Sequence, residues 1–240
     1  MNWFFTDTLN ETAWITGEDA VHITRSLRMA VGEILTLCDA EGAEHICKIE
    51  RICDEGVFVR EMSKDSCQNE PSVEVTLFAA LTKGDKFENM IQKSVELGVH
   101  AIVPVLTERC ISRPDDKTAA KKLQRYQKIA FQAAMQSHRN IIPQVENLCT
   151  LKQAADRLNT FDVGILFYEG GGKPLARVLS PDDRKIAVFI GPEGGFGENE
   201  VEILTQDGAV CTTLGKRILR AETAPLAALS IIMFHTGNMD

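Results

Sequence analysis

The sequence has few features of an exported or membrane-embedded chain. Residues 1–14 contain neither the basic segment nor the apolar core that an export signal carries. The apolar stretch from Ala224 to Phe234 is interrupted by Pro225 and Ser230 and is well short of the ~20 residues that a membrane span needs. We therefore expect a soluble protein of the cytoplasm.

Patterns typical of metal sites and disulfide frameworks are missing as well. The 7 cysteines and 5 histidines form no CxxC pair and no spacing of the zinc type. The number of cysteines is odd, whereas a disulfide framework uses an even set. The sequence therefore predicts no metal, and reduced thiols that mostly fill the core, at Cys38, Cys47, Cys53, Cys67, Cys110, Cys149 and Cys211.

The chain also lacks an excess of positive charge. It contains 26 Lys and Arg against 34 Asp and Glu, which gives a net charge of −8. This balance argues against nucleic-acid binding by the whole surface. Residues 1–70 contain 6 basic and 14 acidic side chains and so account for the entire net charge. An anionic partner would need a local basic patch.

One such patch lies in residues 109–139, which contain eight basic side chains against two acidic ones. Its lysines fit a solvated helix face equally well, because apolar residues recur among them at helical spacing. Arg109, Arg113 and Arg139 stand where helix ends meet loops, and we expect these three to contact an anion.

The pattern of apolar, polar and turn residues changes near residue 71, which indicates two domains. With 44% hydrophobic residues among 240, the chain can bury a large core. In residues 1–70, a predicted helix over 17–29 precedes short β-rich runs, and the polar segment 63–72 has the composition of a linker. Turn signals separate these runs, which predicts an antiparallel meander or a small barrel. The runs are 34–39, 44–53 and 56–62.

From residue 71 to residue 240, apolar strands alternate with amphipathic helices. Near-continuous apolar strands between helices predict a parallel α/β sheet that is covered on both faces. The predicted strands are 73–81, 101–106, 163–168, 186–190 and 211–214. The predicted helices are 87–97, 115–138, 151–158, 200–206 and 221–235.

A glycine-rich string, IGPEGGFGENE from Ile190 to Glu200, follows a predicted buried strand and precedes a helix. Ligands bind at such positions in open α/β sheets. The glycines let backbone approach a ligand closely, although a connection without a ligand could have the same composition. The string contains neither a Walker A sequence nor GxGxxG, which disfavours phosphate binding.

A second string, LGKRILRAETAPLAAL from Leu214 to Leu229, has the same predicted strand–loop–helix context. Glu222 and Thr223 stand at the start of the helix, where capping alone could explain both residues. Arginines at 217 and 220 have no such local structural need, which favours a pocket with one polar wall.

These two strings, together with IQKSVELGV (91–99), ERC (108–110) and HITRSLRM (22–29), form an ordered set. The set closely resembles the ribosomal RNA small-subunit methyltransferase E family, and its five motifs span nearly the whole chain. The resemblance implies a PUA-like RNA-binding domain at 1–70. It also implies a SPOUT-type methyltransferase domain at 71–240, with a knotted parallel sheet, that forms a homodimer.

The resemblance further implies an activity, the transfer of a methyl group from S-adenosylmethionine to N3 of one uridine in the 16S ribosomal RNA of the small subunit. In this family the cofactor lies among three loops at the carboxyl ends of strands. Carried over to this chain, the cofactor-binding residues are Phe167, Tyr168, Glu169, Ile190, Gly191, Pro192, Glu193, Gly194, Gly195, Leu214, Gly215, Ile218 and Leu219.

The proton on uridine N3 and the RNA substrate suggest further roles. The N3 proton must be lost, so we expect Glu222 to accept it and Arg220 to stabilise the uracil anion. Arg25 and Arg28, three apart on a predicted helix face, match the family motif and are expected to contact RNA, with ion pairing to acidic residues as the alternative. The chain has Met135 where the family often has a glutamate, so no role of that acid is expected here.

Two other functions are compatible with the sequence. A SPOUT enzyme that methylates another RNA base or a ribose 2′-hydroxyl would have similar cofactor loops. A non-catalytic RNA-binding factor for ribosome assembly would retain the RNA-contacting residues without the chemistry.

Overall fold

A computed structural model describes residues 2–7, 9–66 and 69–239 of the chain. Contacts divide the chain into two compact units. The first comprises Met1–Glu70 with Ala134–Ile142, and the second comprises Pro71–Ala133 with Pro143–Asp240. Cys67, one of the predicted thiols, lies outside the described residues.

The first unit is built on a curled five-stranded sheet. Its strands are β1 (Asn2–Phe5), β2 (Thr12–Ile15), β3 (Ile34–Cys38), β4 (Glu44–Cys53) and β5 (Gly56–Asp65), in the order β1-β3-β4-β5-β2. β1 pairs with β3 in parallel, and the other neighbours are antiparallel. The pairing of β4 with β5 shifts register at two points, and such irregularities bend a sheet.

The sequence predicted three of these five strands. β5 continues through Asp65, so the start of the predicted linker is strand instead. β1 was missed because its sequence, NWFF, has three adjacent aromatic residues and no alternation of apolar and polar positions. The predicted helix over 17–29 is shorter than expected. It consists of α1 (Gly17–Val21) and a following π-helical turn (His22–Ser26).

The segment Ala134–Ile142 packs with the first unit, whereas the sequence placed it in the second domain. Arg139 is buried, and its guanidinium group pairs with the carboxylate of Glu70. The indole N–H of Trp3 donates to the backbone oxygen of Arg139 at 3.0 Å, and Met135 packs against the core of this unit. These partners are far apart in the chain, so no local pattern could have predicted them.

A buried histidine joins two carboxylates in the first unit. Nε2 of His45 lies 2.9 Å from Oδ2 of Asp39, and Nδ1 lies 2.8 Å from Oε2 of Glu61. Asp39 also accepts the backbone N–H groups of Glu41 and Ala43 through Oδ1. Burial by itself would raise the pKa of Asp39, but the hydrogen bonds from His45 and the two backbone groups outweigh it and lower the pKa.

Replacing His45 by Ala is expected to lower the free energy of unfolding by about 2 kcal/mol, because two carboxylates lose their shared donor. Asp39, whose pKa is lowered in the folded state, stabilises the protein above its unfolded-state pKa. This contribution is lost as the pH falls through the lower folded-state pKa, that is, below about pH 4. Urea unfolding at a series of pH values should show a smaller acid-dependent loss in the variant. An identical pH dependence in both proteins would contradict this prediction.

The second unit is built on a seven-stranded sheet in which all neighbouring strands are parallel. The strands are β6 (Glu74–Ala80), β7 (Ala101–Leu106), β8 (Gln144–Val145), β9 (Cys149–Thr150), β10 (Val163–Phe167), β11 (Lys185–Ile190) and β12 (Ala209–Thr212). Their order is β12-β10-β11-β6-β7-β8, and β9 also pairs with β7. The two-residue strands β8 and β9 were not predicted.

Five helices accompany this sheet within the described residues. They are α2 (Lys86–Glu96), α3 (Asp116–Gln136), α4 (Leu151–Ala155), α5 (Glu198–Gln206) and α6 (Ala224–His235). The last turn of α3 belongs to the first unit. α6 begins three residues later than expected, with Pro225 in its first turn, where proline lacks only a hydrogen bond that is free anyway. In the described part of the chain, no helix is both long and apolar enough to cross a membrane.

The strands of the second unit are buried on both faces. One face shares a core cluster with residues of α4 and α5 and includes Phe78, Val103, Leu166 and Phe189. Side chains alternate along a strand, so the residues just before these point to the opposite face, and they are buried as well: Leu77, Ile102, Ile165 and Val188. The predicted parallel sheet with both faces covered is confirmed.

The six cysteines that the structure describes are free thiols. Cys38, Cys47 and Cys110 are buried, Cys149 and Cys211 are half-buried, and Cys53 is exposed. Burial, together with the nearby carboxylate of Glu61, raises the pKa of Cys47 to about 12. A buried thiol with a raised pKa is a poor nucleophile, which fits the expected role as core filler.

The strand order determines where a ligand site can form. β11 lies between β6 and β10, although both precede it in the chain. The carboxyl ends of β12, β10, β11 and β6 therefore lie side by side at one edge of the sheet. Loops that leave the carboxyl ends of parallel strands are where ligands bind in this class of fold.

Candidate active site

A pocket of about 380 Å³ opens at the carboxyl ends of these four strands. Its walls come from the loops that follow β10, β11 and β12 and from the start of α2. The predicted cofactor-binding residues that line it are Phe167, Tyr168, Glu169, Ile190, Gly191, Pro192, Glu193, Gly195, Leu214, Gly215, Ile218 and Leu219. Of the predicted set, Gly194 is not among the lining residues.

The glycine-rich loop after β11 is a tight turn with little room for side chains. The N–H of Gly195 donates to the backbone oxygen of Pro192 at 2.9 Å, and Gly195 has a φ of 69°. A Cβ atom at Gly195 would lie 2.9 Å from Oε1 of Glu169, and one at Gly191 would lie 3.1 Å from the Phe196 ring. Bare backbone therefore lines this side of the pocket.

Buried Glu200 connects the glycine-rich loop to the loop after β7. Its Oε1 accepts the backbone N–H of Glu108 at 2.7 Å, and its Oε2 accepts the N–H of Gly197 at 2.9 Å. Gly197 is the N-cap residue of α5, so the second bond also satisfies a free amide at the helix start. This role could not be predicted from the sequence, because it depends on a contact across 92 residues.

Arg109 and Arg113 hold loops in place. Nη1 of Arg109 donates to the backbone oxygen of Gly194 at 2.7 Å, which explains why Gly194 faces this arginine. Nη2 of Arg113 donates to the backbone oxygens of Thr107 and Glu108 at 2.8 and 2.9 Å. Both arginines have exposed surface, so their contact with RNA stays a prediction.

Arg139 is placed differently from the prediction. Its side chain is only 6% exposed, and its guanidinium group is occupied by Glu70. An arginine that is buried and ion-paired is not available to a phosphate without losing that pair. The structure therefore corrects the expected RNA contact of Arg139 to a structural role in the first unit.

Four charged side chains surround the pocket where α2 begins. Nζ of Lys86 lies 3.3 Å from Oε1 of Glu193 and 3.7 Å from Oε2 of Glu222. Nη1 of Arg220 lies 4.0 Å from Oε1 of Glu222, and the Arg220 side chain is 84% exposed. Oε2 of Glu222 is buried without a hydrogen-bond partner in the described part of the chain.

The sequence predicted Glu222 and Arg220 together, and the structure places them at one wall of the pocket. Lys86 was missed, although it follows a predicted strand whose carboxyl end lies at the same edge. The alternative role of Thr223 as a helix cap is not realised, because its side chain makes no capping hydrogen bond at the start of α6.

Glu193 is held as an anion beside Lys86. Burial by itself would raise the pKa of Glu193, but several hydrogen bonds outweigh it and lower the pKa. The donors are its own backbone N–H, the Lys86 ammonium group and the backbone N–H of Lys83, at 3.4 Å. Glu193 therefore provides a fixed negative charge next to the pocket at neutral pH.

Within residues 2–7, 9–66 and 69–239, no group of three or more His, Cys, Asp and Glu side chains is arranged to hold a metal ion.

Comparison with known proteins agrees with this architecture. Residues 68–233 match the family described as RNA methyltransferase domain, and residues 15–62 match the one described as RNA methyltransferase PUA domain. Ribosomal RNA small subunit methyltransferase E of Bacillus subtilis (strain 168) is 38% identical over 229 residues, which cover 92% of this chain and 90% of that protein. This chain belongs to the ribosomal RNA small subunit methyltransferase E family.

Solved structures of similar proteins extend the comparison. Ribosomal RNA small subunit methyltransferase E from Neisseria gonorrhoeae, solved bound to S-adenosyl methionine, has a TM-score of 0.89 and 32% identity and covers 98% of each chain. A Legionella pneumophila structure described as a methyltransferase with the bound cofactor SAM has the same TM-score and identity, over 98% of this chain and 97% of that one. This chain is accordingly an RNA methyltransferase.

Met135 occupies the position at which the resemblance implied that a glutamate is frequent. Met135 is half-buried and packs against the core of the first unit, so an apolar side chain suits this position. Gln136, the next residue, is exposed and available for other contacts.

The two arginines of the family motif HITRSLRM do not share a helix face as predicted. Arg25 lies in the π-helical turn after α1, and Arg28 lies beyond this turn with a φ of 53°. Left-handed backbone is uncommon for a residue other than glycine and reverses the direction of the chain. Both side chains are exposed, which keeps them accessible to a large partner.

Proposed function

We propose that this chain transfers a methyl group from S-adenosylmethionine to N3 of a uridine in the 16S ribosomal RNA of the small subunit. The observation that carries the proposal is the pocket at the carboxyl ends of β10, β11 and β12. It combines bare glycine backbone with a glutamate oxygen, Oε2 of Glu222, that is buried and lacks a hydrogen-bond partner among the described residues. Backbone without side chains leaves room for a nucleoside cofactor, and an unpaired carboxylate oxygen can accept a hydrogen bond from a base that is flipped out of the RNA.

The dimensions and chemistry of the pocket fit S-adenosylmethionine. Its volume of about 380 Å³ lies within the ~300–1,000 Å³ that is usual for sites of small ligands. Gly191 and Gly195 would present backbone to the ligand, and Ile218 and Leu219 would provide apolar contacts. When bound, the cofactor supplies an electrophilic methyl group on a sulfonium.

Two residues of the β12–α6 segment are suited to handle the proton and charge of the uracil. In the proposed reaction the N3–H bond of the uridine breaks, and the proton passes to Oε2 of Glu222. Arg220 stabilises the negative charge that develops at O2 or O4. Its exposed side chain can swing toward a base that enters from solvent. Loops on neighbouring strands hold the reactants in line, and positioning of this kind contributes up to ~7–11 kcal/mol.

Replacing both Arg25 and Arg28 by Ala is expected to weaken binding of ribosomal RNA without changing the affinity for S-adenosylhomocysteine. If each arginine neutralises one phosphate, the slope of log K against log salt concentration should fall by about 1.4. Filter binding at several salt concentrations measures this slope. Arg60→Ala is the matched control, because Arg60 is an exposed residue of the same unit and pairs with Glu50. Equal slopes for the double variant and the parent would contradict the prediction.

A methyl-transfer assay tests the proposed function as a whole. Purified protein is incubated with S-adenosylmethionine carrying a labelled methyl group and with either small subunits or naked 16S RNA, and the RNA is digested for nucleoside mass analysis. We expect 3-methyluridine. Label in a ribose or in another base would assign one of the alternative methyltransferase activities. Isothermal titration with S-adenosylhomocysteine separates these outcomes from a non-catalytic assembly factor, for which no binding is expected.

We also propose a homodimer, a knotted backbone and a cytoplasmic location. The dimer is supported by α6, where Ile231 and Phe234 are exposed although the helix is mostly apolar. Exposed apolar groups of this kind often mark a protein interface. Light scattering coupled to size-exclusion chromatography should give twice the mass of 26.5 kDa.

A further inference from the structure

Lys86 occupies a position between two carboxylates that come from different loops. It is the first residue of α2, which follows β6, whereas Glu193 follows β11 and Glu222 precedes α6. Its Nζ lies 3.3 Å from Glu193 and 3.7 Å from Glu222. All three residues line the pocket.

The Glu193 side of this arrangement is fixed by the backbone. Oε1 of Glu193 accepts the N–H of Lys83 as well as a hydrogen bond from Lys86. The hydrogen bond to Glu193 therefore fixes the ammonium group of Lys86. The remaining N–H donors of this group are available to Oε2 of Glu222, which lies 3.7 Å away. Oε2 has no hydrogen-bond partner in the described part of the chain, so Lys86 is its nearest compensating charge.

Arg220, the other cation beside Glu222, is placed differently. Arg220 approaches the opposite oxygen of Glu222, at 4.0 Å, and is mostly in solvent. The remaining titratable groups that line the pocket are Glu169, Lys216 and Arg217. Without Lys86, the carboxylates of Glu193 and Glu222 would lose the cation that lies between them, and their negative charges would repel each other.

We propose that Lys86 is a positioning residue, whose ammonium group holds the Glu222 carboxylate in the orientation in which Oε2 can accept the N3 proton of the uridine. This inference rests on the proposed function. Lys86 itself neither gains nor loses a proton in this step. The N3–H electron pair stays on N3, the new N–CH₃ bond forms from it, and the sulfur of the cofactor keeps the electrons of the broken S–C bond.

The test is methyl transfer by Lys86→Met and Lys86→Arg, with kcat and KM measured separately. In K86M, we expect kcat at neutral pH to fall by roughly 10-fold, because the Glu222 carboxylate is no longer held in line with the uracil. The KM for RNA and the affinity for S-adenosylhomocysteine should not change. K86R keeps the cation and should restore most of the wild-type kcat. Lys93→Met is the control, because Lys93 lies on the same helix and pairs with Glu96.

A second measurement does not need turnover. The NMR signal of the Glu222 carboxyl carbon at neutral pH, assigned from E222Q, should move in K86M, return toward its wild-type position in K86R and stay unchanged in K93M. An unchanged Glu222 signal or an unchanged kcat in K86M would overturn the role of Lys86. If wild-type protein neither bound S-adenosylhomocysteine nor methylated RNA, the proposed function would fail, while the NMR measurement would still decide whether Lys86 holds the Glu222 carboxylate.

Discussion

Glu222→Gln is expected to reduce kcat by about 10²- to 10⁴-fold, the usual contribution of a general base. Glutamine has nearly the same shape but cannot take the N3 proton, so the loss should come from the chemical step and not from binding. Single-turnover methyl transfer to small subunits measures the step directly, and calorimetry with S-adenosylhomocysteine should give an unchanged Kd. An equal loss in kcat and in kcat/KM would indicate an interaction made only in the transition state.

A control with the same chemical change separates this effect from a general change in charge. Glu202→Gln removes one negative charge from the exposed face of α5, where Glu202 contacts Gln206 within the same helix. This variant should retain wild-type kcat. If E222Q also retained wild-type turnover and bound the cofactor normally, another group would have to accept the proton.

Glu200→Ala is expected to lower the free energy of unfolding by roughly 3 to 5 kcal/mol, because two backbone N–H groups lose bonds to a charged acceptor. The same change releases the glycine-rich loop from the loop after β7, where Glu200 accepts the N–H of Glu108. We therefore expect affinity for S-adenosylhomocysteine to fall by at least about tenfold, since ordering the loop then costs free energy on binding. Urea unfolding and isothermal titration measure the two effects.

The conservative variant Glu200→Gln keeps the folded protein available if the alanine variant is too unstable. Its amide oxygen can accept only one of the two N–H groups, so an intermediate loss is expected. Glu202→Ala, in the same helix but exposed, should change stability by less than about 0.5 kcal/mol. Normal cofactor affinity in a folded E200A protein would show that the tie between the loops is not needed for binding.

The sequence predicted the elements that build the pocket better than the contacts that complete it. The strings 190–200 and 214–229 were assigned to loops at carboxyl ends of strands, and the structure brings both to one pocket. Such loops are recognisable because glycine and proline interrupt regular patterns locally. Lys86 and Glu200 escaped notice because a lysine or glutamate in an amphipathic helix is ordinary by itself.

The partners of the arginines could not be predicted from the sequence either. Arg109, Arg113 and Arg139 form a basic patch in the sequence, but their partners are Gly194, two carbonyls of one loop and Glu70, respectively. Charge clustering along the chain does not reveal whether a side chain is already paired. Arg25 and Arg28 were expected on one helix face, but the π-helical turn that contains Arg25 ends before Arg28.

By itself, the sequence determined the parallel α/β sheet, the small β-rich unit before it and the two loops that line the pocket. These features follow from local periodicity and turn residues, which act over a few positions. Only the tertiary structure decided that β11 enters between β6 and β10, that Ala134–Ile142 joins the first unit, and that Lys86 meets Glu193 and Glu222. Such contacts depend on the packing of distant segments, where burial and pairing of charges outweigh any local preference.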